Sequence, residues 1–203
     1  DYITTYICNN TIIPHLSKKN STEPKQLVNE YVDDIAQLEK KLEEIRILDP
    51  ACGSGAFLVK AVDTLILIYD EIQNFKESQG AYVVLQKSKK SGLSIQETFD
   101  KKMEMEKMRG IIENNIYGVD INPESIEITK LSLFLKIASK NKRLIGLNQR
   151  IMNGNSLIDD ESIDSKAFDW KINFAEILAD DIPDNGFDII IGNPPYVRQE
   201  MLS

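Results

Sequence analysis

The stretch Ile45-Arg46-Ile47-Leu48-Asp49-Pro50-Ala51-Cys52-Gly53-Ser54-Gly55, followed by the almost wholly apolar run from Ala56 to Tyr69, decides the fold. A short apolar segment reads as a buried strand, and an apolar run of that length reads as a helix packed on a sheet. Between them, Gly53 and Gly55 let the backbone turn tightly and let a ligand approach without a Cβ in the way. The start of the helix supplies N–H groups that have no partner within it. This is the layout of a nucleotide-type site at the carboxyl edge of a parallel sheet. There is no third glycine at the dinucleotide spacing and no Gly-Lys-Ser/Thr, so the ligand need carry no pyrophosphate.

Further along, Ile116 to Ile121 reads as a second strand. Asn122-Pro123-Glu124 then starts a helix: a cap, a proline in the first turn, and an acid facing the macrodipole. Apolar residues recur at Ile126, Leu133 and Ile137, with Ile128, Leu131 and Leu135 beside them. A short strand is expected at Arg150 to Asn153, before Gly154, and another at Phe187 to Ile191, after the turn signal Asp184-Asn185-Gly186. Strands alternating with helices argue an α/β fold with a parallel sheet. Residues 1–44 read as an N-terminal helical region, with a break at Asn10 to Pro14 and a charged helix at Asp33 to Glu44. Residues 45–203 read as the core, interrupted at about 71–110 by a Lys- and Glu-rich helical arm. The arm, with its cluster Lys87-Ser88-Lys89-Lys90, reads as a solvated hairpin, and a lid or nucleic-acid contact is the sharper alternative.

The 203 residues are 42% apolar, enough for one sizeable core. The apolar stretch Leu65-Ile66-Leu67-Ile68 is too short to span a bilayer, and no positive-then-apolar leader is present. The chain opens at Asp1 without a start methionine, as a piece cut from a longer protein or a chain with reset numbering would. Two cysteines, Cys8 and Cys52, and one histidine, His15, argue against both a disulfide scaffold and a metal centre, and fit a reducing, cytoplasmic setting. The net charge of −8 argues against a strong grip on DNA phosphates by this chain alone.

Three features carry chemistry. Asp49, beside the glycine turn, would repel phosphate and welcome an ammonium group; it also fits a simple turn cap. Asp120, ending the second strand, can accept both hydroxyls of a ribose, as the acid of dinucleotide folds does, or serve as a turn acid. The usual gap is about 20 residues; here the two acids stand 71 positions apart, and the inserted arm accounts for the excess. Together they suit a ligand with a ribose and an amino-acid amine, S-adenosylmethionine. Near the end, Gly192 leads into Asn193-Pro194-Pro195-Tyr196. The prolines remove two donors and leave carbonyls free, the Asn carbonyl can accept from an amine, and the Tyr ring offers a stacking face. Those are the needs of a cup for a flat, amino-bearing ring. Trp170 reads as packing and Cys52 as a small buried filler.

Asp49-Pro-Ala-Cys-Gly-Ser-Gly55, then Gly118-Val119-Asp120, then Gly192-Asn193-Pro194-Pro195-Tyr196 resemble the motif series of N6-adenine DNA methyltransferases of restriction–modification systems. The type IIG fusions and the type I modification subunits are the most similar groups. The motifs cover residues 45 to 200. The resemblance implies an incomplete, doubly wound, Rossmann-like methyltransferase sheet with S-adenosylmethionine as cofactor. It implies cofactor contacts from Asp49, Pro50, Ala51, Cys52, Gly53, Gly55, the aromatic position Phe57, Asp120, Ile121, Asn155, Ser156 and Asn193. Asn155 matches a position that is often Asp. Asn193, Pro194, Pro195 and Tyr196 match the catalytic tetrad. Tyr2-Ile3-Thr4-Thr5-Tyr6 is a poor copy of the family's upstream motif, and no role is carried onto it.

Double-stranded DNA is the implied partner, with a fused or associated endonuclease and no membrane. Only 37 residues separate Asn155 from Asn193, so a target-recognition domain is expected beyond Ser203, as are the later sheet strands. Two other readings stand beside this one. Protein-glutamine and RNA-guanine methyltransferases share the Asn-Pro-Pro-Tyr tetrad, because all present a planar amine. The isolated stretch could also be a non-catalytic S-adenosylmethionine-binding module, and it is expected to be inactive by itself.

Overall fold

The computed structural model describes residues 2–78, 106, 109–136, 146–179 and 185–194. Four short parallel strands form one sheet: β1 (Ile47–Asp49), β2 (Ile116–Asp120), β3 (Ile151–Asn153) and β4 (Ile189–Ile190), in the spatial order β3-β2-β1-β4. Ile47 stands beside Ile116 and Ile189, and Gly118 beside Ile151. The expected parallel α/β sheet is therefore what the chain forms. Parallel strands carry helices on their faces and so read as apolar runs, which is why all four were legible.

One face of the sheet joins Ile47, Ile116, Ile151 and Ile189 to the larger apolar cluster. Its centre is α4 (Ala56–Ser78), which buries Leu58, Ala61, Val62, Leu65, Ile68 and Ile72. Gly118 brings helix and strand together: a Cβ there would lie 2.7 Å from Cδ1 of Leu58. The other face gathers Leu48, Tyr117 and Val119 with Phe168, Phe174 and Ile177. Tyr117 meets Phe174 and Phe187 edge-on, at 5.6 and 5.2 Å between centroids.

Outside α4 lie α1 (Tyr2–Leu16), α2 (Pro24–Asn29) and α3 (Ile35–Glu44). The expected break at Asn10 to Pro14 does not occur, because α1 continues to Leu16 with Pro14 inside it. Pro14 lies two residues from the end, where it removes the ladder bond to the Asn10 carbonyl and sets its ring against that carbonyl. Ile12, Ile13 and Leu16, fully or almost fully buried, hold the turn in place. Helix α4 also runs nine residues past the expected Tyr69, since Ile72 is buried and Lys76 pairs with Glu39 of α3 at 2.7 Å. The first eight residues of the expected arm are thus a continuation of α4. Residues 109–115 are helical and lead into β2, with Ile111 and Ile112 buried. The remainder of the arm, including Lys87 to Lys90, lies outside the described residues.

After β2, α5 (Pro123–Lys136) buries Ile126, Thr129 and Leu133 and leaves Ile128, Leu131 and Leu135 exposed; Ile137 is outside the described residues. Among the described residues, the short helices α6 (Leu147–Arg150), α7 (Trp170–Asn173) and α8 (Ala175–Leu178) follow. Strand β4 is shorter than expected because Phe187 turns into the ring cluster, although the Ile191 N–H still donates to the Leu48 carbonyl at 2.9 Å.

Asn115 joins the outer layer to the sheet. It is 1% exposed, and its Nδ2 donates to the carbonyls of Leu42, Glu43 and Ile45 at 3.1, 3.2 and 2.6 Å. These carbonyls belong to the end of α3 and the residue after it, where the helix leaves acceptors unpaired. Asn115→Ala should lower the unfolding free energy by about 2 kcal/mol or more, since buried carbonyls lose their donor. Urea denaturation of the chain checks this; an unchanged midpoint and slope would contradict it.

Candidate functional site at the carboxyl edge

Because the strands are parallel, all four carboxyl ends reach one edge of the sheet. The loop Asp49 to Gly55 leaves β1, Asp120 closes β2, Gly154-Asn155 follows β3, and Gly192-Asn193-Pro194 follows β4. Separate stretches of sequence meet there. Pro195 and Tyr196 lie outside the described residues.

The glycine loop is held at several points. Gly53 and Gly55 have φ of +53° and +82°, a region that side chains with a Cβ rarely adopt. The Gly53 N–H donates to Oδ2 of Asp120 at 2.7 Å, and the Asn122 N–H donates to its Oδ1 at 2.9 Å. The Cys52 N–H donates to the Val119 carbonyl at 3.0 Å, stitching the loop to β2. Asp120 is thus both the turn acid and a carboxylate with a fixed orientation, next to the exposed Ile121.

Asp49 is 1% exposed. Its Oδ1 accepts from the Ala51 N–H at 3.0 Å, so it does cap the turn. The same oxygen lies against the last strand: a Cβ on Gly192 would sit 2.6 Å from it. Burial pushes the Asp49 carboxyl up to about 6; the Ala51 N–H pulls the other way and the Asp120 charge adds a smaller push. Cys52, 5% exposed, has its thiol pushed up to about 12, first by burial and then by the Asp49 and Asp120 charges. At neutral pH it is a protonated filler and no nucleophile.

The remaining expected residues divide. Pro50, Ala51 and Gly53 are partly open, while Asn193 and Pro194 are exposed at the same edge. Phe57 is 8% exposed and belongs to the apolar core under α1, where its carbonyl lies 3.7 Å from the Cys8 thiol. Asn155 spends its side chain locally: Nδ2 donates to Oδ2 of Asp164 at 2.7 Å, and Oδ1 accepts from the Leu157 N–H at 3.1 Å. The Ser156 carbonyl accepts from Trp170 Nε1 at 3.2 Å, so Trp170 packs and also braces this loop. Sequence reasoning missed Asp164, Gly192 as a close-approach position, and Thr129, which touches the glycine loop from α5; none of them carries a local signal.

A buried carboxyl of this kind has a ligand consequence. Its charge is disfavoured by desolvation, and a cationic group placed beside it would relieve that. Positive-φ glycines and open space at the Gly53 Cβ position leave the backbone accessible there. The arrangement can take a ligand that brings an ammonium group and a pair of hydroxyls.

Residues 114–203 match the family described as Eco57I restriction-modification methylase. The type II restriction enzyme and methyltransferase RM.Eco57I of Escherichia coli is 30% identical over 206 residues, which cover 93% of this chain and 19% of that protein. The adenine-specific methyltransferase PglX of Lacticaseibacillus casei is 27% identical over 105 residues, covering 52% of this chain and 6% of that protein. The adenine-specific methyltransferase BrxX of Escherichia coli O9:H4 is 26% identical over 109 residues, covering 54% of this chain and 7% of that protein. The chain therefore spans less than a fifth of the length of these relatives. No solved structure matches it at a significant level.

Two outcomes follow from the geometry. The folded chain binds the Asp49 proton more tightly than the unfolded chain, so this group's contribution to stability is fully present below pH 4 and is lost as pH rises through about 6. Asn at position 49 keeps an acceptor for Ala51; the Asp49→Asn variant should therefore melt higher than the parent at pH 8, with the gap closing toward pH 4 in a calorimetric series. Gly192→Ala should destabilise by about 1–3 kcal/mol through overpacking against Asp49; a melting temperature equal to the parent's would contradict this close approach.

Proposed function

We propose, from the match of residues 114–203 to the Eco57I restriction-modification methylase family, that the chain is the catalytic part of a site-specific DNA adenine-N6 methyltransferase using S-adenosylmethionine. One observation carries the reading: the glycine loop, the ribose-type acid Asp120 and the Asn193-Pro194 segment share one sheet edge, with Asp49 touching both the loop and Gly192. A nucleoside-type ligand and a planar amine would meet there.

In this reading Asp49 faces the cofactor's ammonium group and Asp120 takes its ribose hydroxyls, leaving Ile121 against the adenine. S-adenosylmethionine, when bound, supplies an electrophilic methyl. The target adenine is turned out of the duplex at a cost of a few kcal/mol. Its exocyclic amine donates to the Asn193 side-chain carbonyl and to the Pro194 backbone carbonyl. Those two acceptors draw electron density to the nitrogen and fix the direction of its lone pair. Tyr196 stacks on the base, worth ~1–3 kcal/mol. No strong base is required, because positioning lowers most of the barrier and the proton leaves after the nitrogen has become cationic. With a net charge of −8, this stretch leaves the phosphate grip to basic surface elsewhere in the full-length protein.

Asn193→Ala in the full-length protein should cut adenine methylation of duplex DNA by about a hundredfold or more with little change in cofactor affinity. Labelled cofactor supplied with duplex DNA, RNA or a glutamine-bearing protein reads both the loss and the substrate class. Near-normal methylation by the variant, or label entering only RNA or protein, would end the assignment.

A further inference from the structure

Helix α5 meets the glycine loop at Thr129. Thr129 is fully buried, and its Oγ1 donates to the Gly53 carbonyl at 2.8 Å across 76 residues of chain. Its Cγ2 and Oγ1 lie 2.8 and 2.9 Å from where a Cβ of Gly55 would stand. A buried hydroxyl is costly unless matched, and valine would fill the same volume without that cost. Thr129 is matched: its hydroxyl donates to the Gly53 loop carbonyl, and the Cys52 thiol lies beside it. The Gly53 residue is thereby held from both sides, its N–H by Asp120 and its carbonyl by Thr129.

A trans peptide points its carbonyl and the following N–H in opposite directions. With the Gly53 carbonyl drawn down to α5, the Ser54 N–H is turned to the outer face of the loop, where Ser54 is exposed. We propose that Thr129 is a positioning residue for the cofactor: its hydroxyl sets the peptide between Gly53 and Ser54 so that the Ser54 N–H is presented to an acceptor atom of the bound molecule. This rests on the S-adenosylmethionine reading above and adds to it a residue two turns inside a helix, away from the motifs.

The test compares the full-length parent with Thr129→Val, which keeps the shape and removes the donor, and Thr129→Ser, which keeps the donor and removes the methyl. Titration calorimetry with S-adenosylmethionine and S-adenosylhomocysteine, methylation kinetics and melting temperature are read on all three. Thr129→Val should weaken cofactor binding and raise its KM about tenfold, the size of one lost hydrogen bond with its carbonyl left unpaired. Its kcat at saturating cofactor should stay within about twofold. Thr129→Ser should bind within about threefold of the parent, even where the lost methyl lowers its melting temperature. Parent-like binding by Thr129→Val would overturn the proposal, as would equal weakening in both variants in step with melting temperature. A parent that binds neither molecule would overturn the cofactor reading itself, and the proposal with it.

Discussion

The hydrogen bond from the Gly53 amide to the Asp120 carboxylate, 2.7 Å long, ties the turn after β1 to the end of β2 across 67 residues of chain. The rest of the edge is arranged around it. Asp120 can receive that bond only because β1 and β2 run parallel in register, placing Asp49 beside Gly118 and leaving Asp120 two residues further on. The sheet register therefore sets the loop, and the loop sets which backbone groups remain open to a ligand.

That arrangement depends on close approach as much as on bonding. Gly118 admits Leu58 and Cys52, and Gly192 admits the Asp49 carboxylate. Each missing Cβ lets one element reach another, at the entropic cost that glycine carries in a regular strand. The glycines of the motif series are thus tolerances in packing as well as points of flexibility.

The buried acid works against folding. Asp49 is kept nearly dry, its charge opposed by desolvation and by Asp120. Such groups gather at functional sites, where a ligand supplies what the fold withholds. In the proposed reading that ligand is cationic, and its charge offsets the desolvation of the Asp49 carboxylate. Strand ends carrying titratable groups beside open backbone are where α/β sheets place their ligands.

Much of this was legible in the residues alone. The alternation of apolar strands and helices, the glycine punctuation and the Asn-Pro cap of α5 are local signals, and the four strands and the starts of α4 and α5 formed at or near them. Local signals do not say where a long helix ends when its continuation is buried by another layer, so α4 ran on to Ser78. They overstated Pro14, because burial of Ile12, Ile13 and Leu16 holds the last turn of α1 helical. Partner choice belonged to tertiary structure altogether. Asn155 turned to Asp164, Phe57 to the core, Asn115 to three carbonyls and Thr129 to Gly53. Composition and periodicity determine which surfaces must be hidden from water; only the folded chain decides which buried polar group meets which, since those contacts join residues tens of positions apart.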